Sequence, residues 1–221
     1  MIFGGRNRDD ETVVAMLASA IRRDISFGVL HPDAKLKIEA LRQSYGGSNH
    51  SMRETLRMLA AEGLVEATSQ RGFRVTSATQ DDLQDILLMR LETEKLGLSR
   101  ALSRGDVAWE ARVVAALHAL SRAEFAVQAN PDDVTALEWD EACRAATETL
   151  LSACGSPRLI QVADKFYNQS RRFKLALLRE GRIDFTARSI RLDKLQTAVL
   201  ARDEAAALAL LEEDIRADLG A

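Results

Sequence analysis

The run Ser48-Asn49-His50-Ser51, followed at once by Met52 and Arg53, gathers hydroxyl, amide, imidazole and guanidinium groups within six residues. Side chains of these types pair with base edges in the major groove of DNA, where amides and guanidinium groups can form two hydrogen bonds to one base. Lys35, Lys37 and Arg42 lie just upstream and suit phosphate oxygens, whose contacts add affinity without carrying sequence information. Downstream, Gln70-Arg71-Gly72 offers a second point of contact: Arg71 can reach a phosphate or the minor groove, and Gly72 permits close backbone approach.

A different chemistry is suggested in the later two thirds of the chain. Cys143 and Thr147 stand four residues apart on the helical face that carries Trp139 and Leu150, and Leu192 shares a face with Leu195 and Val199. Asp214 falls in line with Ala207, Leu210, Leu211 and Ala217. A carboxylate on an apolar stripe needs a partner, because burying it alone costs several kcal/mol or drives it to its neutral form. Arg90, in register with Leu83 and Leu87, is the expected partner. Two arrangements stay open: a structural Arg90–Asp214 pair, or a polar cavity in which an arginine clamps a carboxylate ligand with two bonds. Asp140 and Glu141 are adjacent, so on a helix they point about 100° apart and cannot share one substrate atom; both are expected to be solvated. No G-x-S-x-G elbow, phosphate-binding loop, dinucleotide fingerprint or H-E-x-x-H helix occurs, so neither an enzyme nor a cofactor is expected.

The elements that would position these groups follow from periodicity. Val13, Val14, Leu17, Ala20, Ile21 and Ile25 predict an amphipathic helix over 11–27, ended by Gly28. Residues 36–38 suit a short strand, and 39–45 one or two helical turns stopped by Gly46-Gly47. Ser48 is a good N-cap for a helix running through Met52, Leu56, Met58 and Leu59 to Gly63. Residues 64–67 and 72–75 then flank a polar turn and predict a β-hairpin. Helix, short helix, tight turn, helix and hairpin is the order of a winged helix-turn-helix. Beyond it, helices are expected at 79–103, 107–128, 134–153, 157–180, 185–201 and 204–219, around one bundle core. The fold class is therefore mainly α, with an N-terminal winged helix-turn-helix over residues 1–77 and an all-helical domain over 78–221.

Charge divides at the same place. The 221 residues carry a net charge of −3, but residues 1–77 hold 11 Lys plus Arg against 9 Asp plus Glu, and the remainder 19 against 24. A mildly basic head of net +2 on an acidic body of net −5 fits a polyanion-binding module joined to something else. No run approaches the ~18 apolar residues of a membrane span, and residues 1–10 lack the apolar core of a secretory signal, so a cytoplasmic location without membrane contact is expected. Cys143 and Cys154 suit neither a disulfide framework nor a zinc spacing.

On Tyr45-Gly46, Ser48, Arg53-Glu54-Thr55-Leu56, Leu59 to Val65 and Gln70 to Val75, the head resembles the DNA-binding domain of the GntR family of bacterial transcription regulators. The resemblance makes Arg53 the recognition-helix arginine and Gly72 the wing-tip glycine. Asn49 and His50 stand where the family usually has Arg and Thr, and Ser51 where Pro is frequent, so the operator is expected to differ from the common half-site.

The body resembles the FCD effector domain of the FadR-type subfamily. The stretches that carry this likeness include Asp81-Asp82-Leu83 with Arg90 and Glu94, Trp139 to Ala142, Ala153 to Leu159, Tyr167 to Phe173 and Ala198 to Asp203. That domain implies a helical bundle around a small-molecule cavity, commonly for an organic acid. In many members its floor holds a divalent metal on one Asp or His and three His. The resemblance puts Cys143, Thr147, Leu192 and Asp214 at the four ligand positions and makes Asn168 and Arg172 inward-facing, so that Arg90, Cys143, Thr147, Asn168, Arg172, Leu192 and Asp214 form the expected effector site. Only Asp214 suits a hard metal. The chain has three histidines, and His31 and His50 lie in the head, so the body has His118 alone and no metal is expected. These readings imply a homodimeric regulator of double-stranded operator DNA, more often a repressor in such families, sensing a small organic acid. The alternative is a filled, ligand-free helical domain that serves only dimerisation.

Overall fold

Ile21, Met52, Leu56 and Leu59 are completely buried in the N-terminal part of the chain, where their three- and four-residue spacings bring two helices face to face. In the computed structural model, which describes residues 6–68 and 72–220, these helices are α1 (Arg6–Ser26) and α3 (Asn49–Ala61). Between them lie β1 (Lys35–Leu36) and α2 (Ile38–Tyr45), and after them β2 (Val65–Thr68) and β3 (Gly72–Val75). The strands form an antiparallel sheet in the order β1-β3-β2, with Leu36 opposite Phe73 and Val65 opposite Val75. Leu36, Val65 and Val75 turn into the same core as the helices, so the sheet packs on the helical layer by its alternate residues. The bonds Arg22 Nε and Nη2 to Glu62, at 2.9 and 2.7 Å, tie α1 to the C-terminal end of α3. Tyr45 donates its hydroxyl to Asp24 at 2.5 Å, and burial together with that carboxylate pushes the phenol pKa up. The expected winged helix-turn-helix is present in the expected order.

The chain divides into two compact units, Met1–Asp82 and Leu83–Ala221, so the division falls inside the first turn of α4 (Gln80–Arg104). The second unit continues with α5 (Val107–Ala129), α6 (Asp133–Leu151), α7 (Pro157–Arg179), α8 (Phe185–Leu200) and α9 (Glu204–Leu219). Asp106, Asp132, Ser156, Asp184 and Asp203 each accept a backbone N–H at the start of α5 to α9, which fixes where each helix begins. Trp109, Leu120, Trp139, Leu151, Leu175 and Val199 are essentially inaccessible. Trp109 donates its indole N–H to the Thr149 carbonyl at 3.0 Å, as a buried Trp usually does. Among the described residues, no helix is long and apolar enough to cross a membrane.

The interior of the second unit is more highly charged than periodicity suggests, and the expectation that Asp140 and Glu141 are both solvated is corrected here. Asp140 is completely buried, ion-paired with Lys174 at 2.8 Å and with Arg171. Glu141, half exposed, reaches the same Arg171, so the two adjacent acids do share one partner from different directions. Lys174 itself is only 1% exposed and lies 4.9 Å from the ring centroids of both Trp139 and Tyr167. Burial is the largest single influence and opposes its charge, but Asp140 and the other acidic groups around it, Cys143, Tyr167 and Asp218, together outweigh that penalty and its pKa is raised. Removing one partner of a buried ion pair strands the other. Asp140→Asn is therefore expected to lower unfolding stability by about 3–5 kcal/mol, read from urea unfolding of the purified chain.

Candidate functional site

The first site is the N-terminal end of α3. Gly46 and Gly47, at φ +81° and +82°, turn the chain from α2 into α3. A Cβ at Gly47 would come within 3.0 Å of Leu17 and of the Ser51 hydroxyl, so this turn is closed to larger residues. Ser48 and Ser51 then form a reciprocal cap: the Ser51 N–H donates to Ser48 Oγ at 3.0 Å, and the Ser48 N–H donates to Ser51 Oγ at 2.9 Å. The cap projects Asn49, His50 and Arg53 into solvent, with Lys35 and Lys37 exposed nearby in the chain. Arg42, expected to meet phosphate, is exposed too, and it also donates to the Gly47 carbonyl and to Asn49 Oδ1, each at 3.2 Å, which braces the turn.

Ser51 departs from expectation. It is 3% exposed and its hydroxyl is spent inside the cap, so it orients the helix and offers no surface for a base. Gly72 is exposed at φ +83°, where only glycine is unstrained, and opens β3. Gln70 and Arg71 lie outside the described residues.

The second site is the interior of the helical unit. A cavity with about 20 Å³ of free space, room for one water, is lined by Arg90, Cys143, Thr147, Leu192 and Asp214 among others. Five of the seven expected effector-site residues thus come together. Asn168 and Arg172 do not line it. Tyr167 and Lys174 hold the inward line of α7, and Asn168, one residue after Tyr167, is turned about 100° away. Asn168 donates to Asp164 at 3.1 Å, and the Arg172 guanidinium stacks on Phe173.

The expected Arg90–Asp214 pair is also replaced. Arg90 is held by Glu94, one helical turn along α4, through two bonds of 2.6 and 3.1 Å, and donates to Ser170 at 3.2 Å. Asp214 is met instead by Arg188 at 3.2 Å and by Arg191 at 3.0 Å, both from α8. Arg188 is the group that sequence reading missed. It donates to Glu124 at 2.5 Å, to Asp218, and to the Cys143 sulfur at 3.5 Å, and its guanidinium lies 5.7 Å from the Trp139 ring centroid. Asp218 was legible in principle, four residues after Asp214 and in step with the buried Ala207, Leu211 and Ile215. Burial pushes the Cys143 thiol up to about 11, so it is held as the neutral thiol.

The donor set does not fit the metal that the family likeness implies. Thr147 and Leu192 are poor ligands, Cys143 is protonated, and the Asp214 oxygen is taken by two guanidinium groups. An outer groove of about 280 Å³ between α5 and α8 shares Leu117 and Leu192 with the cavity wall and is lined by His118, Ser121, Glu124 and Asp193.

A winged helix-turn-helix with an exposed, capped recognition-helix start, joined to a helical bundle with a polar interior, defines a DNA-binding transcription regulator with an attached C-terminal domain. Residues 14–75 match the model for bacterial regulatory proteins of the gntR family and residues 85–217 match the FCD domain, so the chain belongs to the GntR family and carries an FCD domain. It is 32% identical over 198 residues to the HTH-type transcriptional repressor GlaR of Escherichia coli, covering 88% of this chain and 89% of that one. It is also 32% identical to the HTH-type transcriptional regulator BphR of Paraburkholderia xenovorans, covering 90% and 80%. Among solved structures, E. coli McbR/YncC shares the fold at 18% identity with a TM-score of 0.76, covering 94% and 95% of the two chains.

Burial is the main cause that holds Glu124 and Asp218 above the ordinary carboxylate range, with Asp214 adding repulsion to both and Arg188 opposing. A carboxyl whose folded pKa is raised contributes stability that is complete below its unfolded pKa and lost as pH rises through the folded value. The stability of the protein relative to Glu124→Gln is accordingly expected to fall as pH rises from about 4 towards neutrality. Paired urea titrations across that range check it, and a difference independent of pH contradicts it.

Proposed function

We propose that this regulator is a homodimeric, cytoplasmic repressor with no enzymatic activity. In this reading Asn49, His50 and Arg53 face the bases of a two-fold operator, and Lys37, Ser48, Arg42, Gln70, Arg71 and Gly72 address the backbone and minor groove. The observation that carries it is the start of α3, where Asn49, His50 and Arg53 stand outside the core while Met52 and Leu56 anchor the helix within it. The printed name of the E. coli relative, a repressor, supports the sign of regulation. Residues 1–77 are assigned to DNA and 78–221 to dimerisation and sensing. Arg53→Ala is expected to weaken specific binding by roughly 1–3 kcal/mol while leaving binding to random DNA nearly unchanged. Operator fragments selected from random sequence and titrated at fixed salt test this, and equal losses on both DNAs would remove Arg53 from base reading.

For the helical domain we propose a small organic acid as effector, received at Arg90 and Arg188 beside Thr147, Cys143, Leu192 and Asp214. Such an acid would exchange with Glu94 or with Asp214 and Asp218, and it would act on DNA binding only through a difference in affinity between two arrangements of the protein. The small free volume favours a second reading, a filled domain that only dimerises. A thermal-shift screen of organic acids separates them, because a ligand of the native state raises its melting temperature by mass action. Stabilisation by one class of acids supports sensing, and a flat response across the panel supports the filled domain.

A further inference from the structure

We propose that Arg188 is the resident cation of the helical domain, a tethered charge that does the work of a metal ion and makes the domain independent of one. Three carboxylates and a sulfur converge on its guanidinium: Glu124 from α5, Cys143 from α6, and Asp214 and Asp218 from α9. Arg188 is 2% exposed and comes from α8, so a single side chain joins four helices through charge-assisted bonds.

Two of these accepting groups, Cys143 and Asp214, stand at positions where the family likeness puts metal ligands. The guanidinium therefore reaches the same ground that an ion would hold, and like-charge repulsion excludes a divalent cation while it is there. The acids also outnumber their cations. Among the described residues, the ion pairs of Glu124, Asp214 and Asp218 are with Arg188 and Arg191, Arg191 reaching Asp214 and the exposed Glu213, while Lys174 and Arg90, paired with Asp140 and Glu94, also attract Asp218. Taking Arg188 away leaves three carboxylates from two helices around a vacated space. That is an oxygen-rich donor set suited to a hard cation such as manganese, with the neutral Cys143 thiol at its edge.

The role is a positional one, and it does not depend on how the head reads DNA. Purified protein, dialysed against chelator, is melted with and without excess manganese or zinc chloride, alongside Arg188→Ala, Arg188→Gln and Arg191→Ala. The wild-type melting temperature is expected to be unmoved by chelator or metal. The two Arg188 variants are expected to melt lower and to regain more than about 4 °C with manganese, with one ion bound per chain by elemental analysis. Arg191→Ala, which strips a cation from Asp214 but keeps Arg188, is expected to gain no metal response. If the Ala and Gln variants fold only when refolded with metal, the proposal also stands. It is overturned if both variants fold but manganese leaves their melting temperatures unmoved, if both fail to fold with or without metal, if Arg191→Ala responds as strongly, or if the wild type already holds a stoichiometric ion.

Discussion

Charge inside the helical domain has to be paired, and most of the second unit is arranged around that constraint. Arg188, Lys174, Arg90 and Arg171 are all nearly inaccessible, and each meets an acid that is buried or close to the same surface. A buried ion pair contributes little net stability over an apolar replacement, but breaking it is costly. Its structural value lies in direction. A leucine contact tolerates sliding, whereas a guanidinium forked between Glu124 and Asp218 permits only one register of α8 against α5 and α9.

The head is organised differently, by backbone geometry. The Gly46-Gly47 turn and the reciprocal Ser48–Ser51 cap set the direction in which α3 leaves the core, and Arg42 holds the turn from outside. Met52, Thr55, Leu56 and Leu59 occupy the inward line of that helix, so Asn49, His50 and Arg53 have nowhere to go but outward. The reading surface is thus a consequence of core packing and capping, with few charges needed to build it.

Much of this was legible in the sequence. Every helix of the second unit begins and ends within two residues of its expected bounds, because Asp and Ser caps and glycine stops punctuate a chain of good helix formers. Cys143, Thr147, Leu192 and Asp214 were legible as inward residues from their apolar neighbours. The ionic interior was not, since periodicity assigns Lys, Arg, Asp and Glu to solvent by default. Asp140, Glu124, Lys174 and Arg188 each lie on inward faces, yet their partners are 26 to 64 positions away on other helices, where no local spacing reveals them. Arg90 shows the opposite error: its true partner Glu94 was only four residues off, and a distant acid was preferred. Ser51 was misassigned because a cap residue and a base-reading residue draw on the same polar types.

The trio Asp140, Arg171 and Lys174 has a consequence for how such a sequence can drift. Asp140 exchanged alone leaves Arg171 and Lys174 buried without the acid they share, whereas loss of either cation leaves the other still paired with it. The acid can therefore change only with or after both cations, for instance in a change of all three to apolar residues of similar volume. Across a lineage the acid would be kept for as long as either cation is, although they stand on two different helices and as many as 34 residues apart.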